Sequence, residues 1–298
     1  MTESVVPPVA DPARLVADLV TLLTLDALEA DRFIGQSEDI GTPRVFGGQV
    51  LGQSLMAASR TVDAARPVHS LHAYFLLPGD KNEPIEYLVD RVRDGRSFTT
   101  RRVVAQQKGR TIFTMMASFQ TVEPGGIAHQ QAMPDAPAPE ALASDAELRR
   151  ALGDRAPPAA RDKFNSDRPI EFRTVDPPDL LTPEPRAAQA QIWMRALTAL
   201  PDDPALHCAL LAYASDHGLL RAALLPHGLS FMQSRLRAAS LDHAMWFHRD
   251  FRLDDWLLYA IDSPSTGGAR GLCRGAIFAR DGRLVASVAQ EGMLRVLD

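Results

Sequence analysis

The sequence predicts an α+β fold, built as two tandem copies of one unit in which a long helix is followed by a run of antiparallel strands. Three observations predict it. Apolar residues recur at helical spacing in separated stretches, and strand-like runs bounded by turn residues follow them. The two strand regions superpose on each other at a fixed offset of 173 residues. Between them lies a segment rich in Pro, Ala and Gly, with the composition of a linker.

Asp11-Pro12 starts the first helix, with Asp placed as the cap and Pro at the first helical position. Leu15, Val16, Leu19, Val20 and Leu23 follow at helical spacing. A second helix is predicted over 47–61, with Val50, Leu51, Leu55 and Ala58 on one side and a glycine-rich start, Phe46-Gly47-Gly48-Gln49. Strands are predicted over 69–77, 85–93, 97–107 and 110–120, and Lys108-Gly109 suits a tight hairpin turn. The texture then changes over 122–165, through Glu123-Pro124-Gly125-Gly126 and Pro134-Asp135-Ala136-Pro137-Ala138-Pro139, with a short helix expected near 145–152. Beyond it come strands near 169–175 and 189–195, a helix from about 205 to 220, and strands over 241–249, 256–261, 271–279 and 283–293.

The expected organisation is therefore a first unit over 1–121, a linker over 122–165 and a second unit over 166–298. The offset places Tyr74 on Phe247, Ile85 on Leu258, Gly95 on Gly268, Arg101 on Arg274 and Gly109 on Gly282, while the helices need an offset of their own. A long helix wrapped by a curved antiparallel sheet is the shape of the hotdog fold, so the expectation is a double hotdog.

The chain has 298 residues, 46% hydrophobic and 23% charged, which suits a folded protein with a sizeable core. A net charge of -5 argues against non-specific nucleic-acid binding, which needs a basic surface, but leaves room for local arginines to hold an anionic ligand. Cys208 and Cys273 are too few for a disulfide framework and suit a reducing compartment. Met1-Thr2-Glu3-Ser4 is not the start of a secretory signal, and Val296-Leu297-Asp298 is no peroxisomal address. No apolar stretch is long enough to span a bilayer, and the expected location is the cytoplasm.

Several runs, in order, resemble the acyl-CoA thioesterase II family: Phe46-Gly47-Gly48-Gln49, His69-Ser70-Leu71-His72-Ala73-Tyr74-Phe75, Tyr213-Ala214-Ser215-Asp216, Asp242-His243-Ala244-Met245-Trp246-Phe247-His248 and Gln290-Glu291-Gly292. The resemblance implies a double hotdog that hydrolyses medium- to long-chain acyl-CoA without metal or organic cofactor, as a homo-oligomer. It also implies that an Asp, a hydroxyl residue and a Gln hold the attacking water. Matched motif by motif, these are Asp216, Ser240 and Gln290, and Ser240 departs from the Thr usual in the family. Serine keeps the hydroxyl but lacks the methyl that restricts the rotamer.

The chemistry is sound from below. Thioester hydrolysis needs an oriented water, a group to take its proton and donors for the oxyanion. A carboxylate can accept the proton, and a hydroxyl and a carboxamide can each fix the water. Gly47 and Gly48, opening a helix, could supply backbone donors to the oxyanion or to substrate. The same glycines could simply allow close packing. An Asp after a helical run is more often a solvated group, and a Ser near a strand start is usually a turn hydroxyl. Gln290 is different, since a Gln on a buried strand face needs partners.

Other constellations are weaker. His69 and His72, like His243 and His248, differ by an odd number within a strand and face opposite sides, so no shared metal is expected. Gly228-Leu229-Ser230-Phe231-Met232 fails the serine-hydrolase elbow at its last position. Two alternatives stand: a hotdog enoyl-CoA hydratase, weakened because adjacent Asp242 and His243 would point apart, and a non-catalytic acyl-CoA binding protein, which only Ser240 invites.

Overall fold

A computed structural model describes residues 10–152, 155, 167–233 and 235–297. In the first part, α1 (Pro12–Leu23) is followed by β1 (Asp26–Glu29), β2 (Arg32–Gly35), α2 (Gly47–Ser59), β3 (Val68–Phe75), β4 (Ile85–Asp94), β5 (Phe98–Gln107) and β6 (Arg110–Gln120). After α3 (Asp145–Leu152) come β7 (Ile170–Thr174), β8 (Gln189–Ala196), α4 (Pro204–Ser215) and α5 (Arg221–Leu224). The remaining strands are β9 (Leu236–Ser240), β10 (Asp242–Phe247), β11 (Leu257–Gly267), β12 (Arg270–Ala279) and β13 (Leu284–Val296).

All strands join one antiparallel sheet in the order β1-β2-β4-β5-β6-β3-β10-β13-β12-β11-β8-β7, with β9 also on β13. The two halves meet where β3 pairs with β10, His72 opposite Ala244. The α+β class holds, and α2 and α4 form the spine that the sheet wraps. They run antiparallel in close contact: a Cβ on Gly48 would stand 2.3 Å from the Tyr213 carbonyl oxygen, and one on Gly52 3.0 Å from that of Ala209. Only glycine fits at 48 without moving backbone. Leu51 and Leu55 of α2 and Leu210 and Leu211 of α4 belong to one buried cluster spanning both halves.

The α1 start is as predicted, with Asp11 accepting from Ala13 N–H and Pro12 opening the helix. The second-half helix is shorter than predicted. It ends at Ser215, Asp216 is its C-cap and Gly218 turns left-handed at φ 80. The apolar periodicity ran on because Leu219 and Leu220 are also buried, beside the separate short helix α5. The sequence pattern did not reveal strands β1, β2 and β9: β1 is exposed throughout, β9 carries no clean alternation, and β2 alternates over only four residues.

The internal offset needs a correction. Lys108-Gly109 makes a two-residue hairpin turn, both residues left-handed (φ 50 and 72), between paired Gln107 and Arg110. In the second half, Ala279 N–H bonds to the Arg283 carbonyl, so three residues turn the chain, with Gly282 at φ 89. That extra residue means the offset of 173 holds after the turn and falls by one before it. Arg101, opposite Ala117, is the counterpart of Cys273, opposite Gln290, and not of Arg274. Burial agrees: Arg101 and Cys273 are inside, while Arg274 is exposed.

The described part of 122–165 is poor in regular structure, as its composition suggests, but it is fastened. Met133, Ala136 and Leu142 pack on Trp193, Trp256, Leu258 and Phe278. Trp193 Nε1 donates to the Pro137 carbonyl at 2.9 Å, and Arg173 donates to the carbonyls of Pro139 and Leu142. The short helix falls where it is predicted, at Asp145–Leu152. The prediction for 153–154 and 156–165 lies outside the described residues.

Candidate active site

Three elements of the second half bring their side chains to one point. Helix α4 starts on Asp203, whose carboxylate accepts from the N–H groups of Ala205 and Leu206, and runs through buried residues to its C-cap, Asp216. Ser240 ends β9, opposite Gly292 on β13. Leu241 then bulges, its N–H bonding to the Glu291 carbonyl at 2.9 Å, before β10 begins. Gln290 points inward from β13 and is 1% exposed. Its Nε2 donates to Asp216 Oδ1 at 3.0 Å and to Ser240 Oγ at 2.6 Å, and Ser240 Oγ lies 3.4 Å from the same Asp216 oxygen. The structure thus gathers the three residues that sequence reading selects, although they are spread over 75 positions (216 to 290).

Gly47 and Gly48 come to the same place from the first half. A Cβ on Gly47 would stand 2.7 Å from Asp216 Oδ2 and 3.0 Å from the Phe75 ring. Phe46 precedes α2 and caps it with no side-chain hydrogen bond, and its carbonyl takes the N–H groups of Gln49 and Val50. The Gly47 and Gly48 N–H groups sit in the first turn, where no intrahelical acceptor exists. The helix dipole adds partial positive charge at that end. Packing and donor supply, which sequence reading leaves open for these glycines, therefore coexist: Gly48 is pressed against Tyr213, and Gly47 faces Asp216.

A buried polar layer lies behind the three side chains. His243 Nδ1 is 2.8 Å from Gln290 Oε1, and its Nε2 is 3.0 Å from Ser215 Oγ. Tyr259 Oη donates to the Ser215 carbonyl at 3.2 Å. Burial pushes the His243 ring below the ordinary histidine pKa and the Tyr259 phenol well above its own, so both stay neutral near neutral pH. Sequence reading treats His243 as a core or hydrogen-bonded histidine; it is both, and its contact with Gln290 was not foreseen. The available signal was an inward-facing histidine on the strand beside an inward-facing glutamine.

The paired histidines share no site: His69 bonds to Ser118 Oγ, His72 packs edge-on against Trp246, and His248 bonds to Ser287 Oγ. Among the described residues no group of three or more His, Cys, Asp and Glu side chains is placed to hold a metal ion. Nor is any helix long and apolar enough to cross a membrane. A surface groove of about 990 Å³ includes Trp246, Arg274, Ser287 and Ala289 in its lining, but not Asp216, Ser240 or Gln290. Ala289 alternates with Gln290 along β13, so the groove belongs to the opposite face of the sheet.

Comparison with known proteins fits this arrangement. Residues 159–293 match the family described as acyl-CoA thioesterase, and residues 35–120 match that described as acyl-CoA thioesterase N-terminal domain. The chain is 39% identical over 281 residues to acyl-CoA thioesterase 2 of Haemophilus influenzae, covering 94% of this chain and 98% of that one. The solved structure of acyl-CoA thioesterase II TesB2 from Mycobacterium marinum is 47% identical, with a TM-score of 0.77 over 93% of this chain and 98% of that one. A protein from Alicyclobacillus acidocaldarius described as having a hot dog fold is 18% identical but superposes with a TM-score of 0.75, over 94% and 99% of the two chains. That likeness speaks for the fold alone.

Proposed function

The chain belongs to the acyl-CoA thioesterase II family, and on that footing we propose that it hydrolyses medium- to long-chain fatty acyl-CoA through direct attack of a water held by Asp216, Ser240 and Gln290. The observation that carries the reading is their convergence, with Gln290 Nε2 within 3.0 Å of both partners, beside the open start of α2. Asp216 is the general base. The Gln290 carboxamide fixes Asp216 and Ser240, whose oxygens lie 3.4 Å apart, and the water is oriented by these two oxygens from their open side. As the water oxygen bonds to the thioester carbon, its proton passes to Asp216. The carbonyl oxygen becomes an oxyanion, met by the N–H groups of Gly47 and Gly48. Collapse breaks the C–S bond, and the proton held on Asp216 goes to the departing CoA sulfur. No cofactor enters these steps.

The same reading makes the chain a double hotdog, with units over 1–121 and 166–298 joined by 122–165, acting in the cytoplasm as a homo-oligomer. The two family matches support that division: 35–120 lies within the first unit, and 159–293 begins near the end of the linker and runs through the second. The hydratase alternative needs Asp242 and His243 to act on one substrate. Asp242 instead accepts from the Glu291 N–H at 2.6 Å while His243 turns inward to Gln290, which favours hydrolysis. Release of free thiol across a series of acyl-CoA chain lengths tests the proposal, and the optimum is expected at medium to long chains. Enoyl-CoA hydration without thiol release would replace it with the hydratase, and binding without release with a carrier. A non-hydrolysable acyl-CoA analogue titrated by calorimetry is expected to saturate at about one per chain, since the pocket is formed once.

A further inference from the structure

His243 is fully buried and takes no part in the steps above, yet it touches the one side chain whose orientation those steps depend on. The two ends of the Gln290 carboxamide are not interchangeable. A carboxylate oxygen only accepts, so the end 3.0 Å from Asp216 Oδ1 is Nε2, and Oε1 faces His243. Oε1 in turn only accepts, which places the histidine proton on Nδ1. The neutral ring is then bare at Nε2, 3.0 Å from the Ser215 hydroxyl, whose one proton also has the Ala212 carbonyl at 2.9 Å as an acceptor. Donors therefore run one way, from His243 to Gln290 to Asp216. Ser215, which flanks the ring, is the neighbour of Asp216 at the end of α4.

We propose that His243 is a positioning residue, holding the Gln290 carboxamide in the single orientation that presents its N–H groups to Ser240 and Asp216. This rests on the hydrolytic reading of those three residues. Without the Nδ1 donor, the amide could turn over and aim Oε1 at a carboxylate, a repulsive pairing that would disperse the cluster. The first half offers an internal control: in the corresponding strand pair Leu71 stands opposite Ala117, so histidine and glutamine are absent together.

Two substitutions separate the ring nitrogens. His243→Asn keeps an N–H near the Nδ1 position, whereas His243→Gln reaches the Nε2 position and loses the donor to Gln290. His243→Gln is expected to lower kcat about tenfold to a hundredfold with KM little changed, as for other supporting hydrogen-bond partners. His243→Asn is expected to recover most of that loss. In a Gln290→Ala background, His243→Gln should cost nothing further, because its effect is routed through the missing amide. Wild-type kcat in His243→Gln, or an equal loss in both backgrounds, would overturn the proposal while leaving the hydrolytic reading intact. Full activity of Gln290→Ala by itself would overturn the hydrolytic reading and the proposal with it. Circular dichroism melts accompany each variant. If His243→Gln does not fold, nitrogen-15 NMR of the wild-type His243 ring serves instead: a proton on Nδ1 is expected, and a proton on Nε2 with Nδ1 bare would overturn the proposal.

Discussion

The antiparallel pair α2 and α4 has two ends with the same plan and opposite contents. At one end α4 finishes on Asp216, with Ser240 and Gln290 alongside. At the other α2 finishes on Arg60. There Val68, opposite Phe119, occupies the register position that Ser240 holds opposite Gly292, and Ala117 occupies that of Gln290. The helix starts differ as well. Helix α2 opens on two glycines without a side-chain cap, while α4 opens on Pro204, which has no N–H, and on Asp203, which takes up the next two donors. In place of Cys273 stands Arg101, buried and bonded to Thr61, Asp94 and the Arg93 carbonyl. One end has its donors satisfied internally and its space filled; the other is left short of caps. The difference teaches that a helix end becomes a candidate site when the fold withholds the partners it would ordinarily give.

The sharpest way to break this contrast is Asp216→Asn. A lost general base costs roughly a hundredfold or more in kcat, with the fold retained; near-wild-type thiol release would show that the other end, or another group, does the work. The two glycines should then part company. Gly48→Ala drives a methyl into the Tyr213 carbonyl and is expected to destabilise the chain by about 1–3 kcal/mol in chemical denaturation. Gly47→Ala meets Asp216 and the Phe75 ring instead, and is expected to lower kcat more than stability. An unchanged kcat in Gly47→Ala would detach the first half from the chemistry.

Acid should reveal the asymmetry in stability. Of the histidines held below the ordinary value of 6.5 by burial, His207, His217, His243 and His248 lie in the second half and His69 in the first. Their folded pKa is depressed, so in the window below 6.5 and above the folded value the unfolded chain binds more protons. Stability therefore falls as pH drops through that window. Amide exchange is expected to accelerate first in the strands around α4, and uniform acceleration in both halves would contradict the assignment. Asp203→Ala removes the α4 cap and is expected to cost about 1 kcal/mol in a thermal or denaturant melt, without the loss of kcat seen at Asp216. The smallest effect belongs to Ser240→Thr, expected to keep or modestly raise kcat through a stiffer rotamer, whereas Ser240→Ala lowers it. If the Ala variant turns over normally, Ser240 does not orient the water.

The candidate site residues could be picked out in the sequence because motifs carry them: Tyr213-Ala214-Ser215-Asp216 and Gln290-Glu291-Gly292 name the positions that the fold brings together. Strands β4 to β6 were legible because ten- or eleven-residue runs rich in β-branched and other apolar residues are bounded by turn residues such as Asp94-Gly95 and Lys108-Gly109. The end of α4 was not, since Leu219 and Leu220 continue its periodicity past the break at Gly218. The one-residue difference between the hairpin turns was hidden for another reason. Gly109 and Gly282 align perfectly after the turn, and nothing in the residues marks where an extra one enters before it. The layer of Ser215, His243 and Tyr259 escaped because its long-range hydrogen bonds leave no local pattern beyond an inward-facing histidine on one strand and an inward-facing glutamine on the next.

The pairing of β3 with β10 carries one more consequence. Each of these strands would be an open edge if its half stood alone, with a row of backbone N–H and C=O groups ready to recruit another strand. The strands that do end the sheet, β1 and β7, have only four and five residues, short enough to be poor templates. The two halves are therefore each other's protection against aggregation. A chain cut within 122–138 would behave as a split protein, its fragments sticky when apart and mutually capturing when mixed. Because α2 comes from one fragment and Asp216 from the other, thiol release would appear only on reassembly, making turnover itself a reporter of the seam.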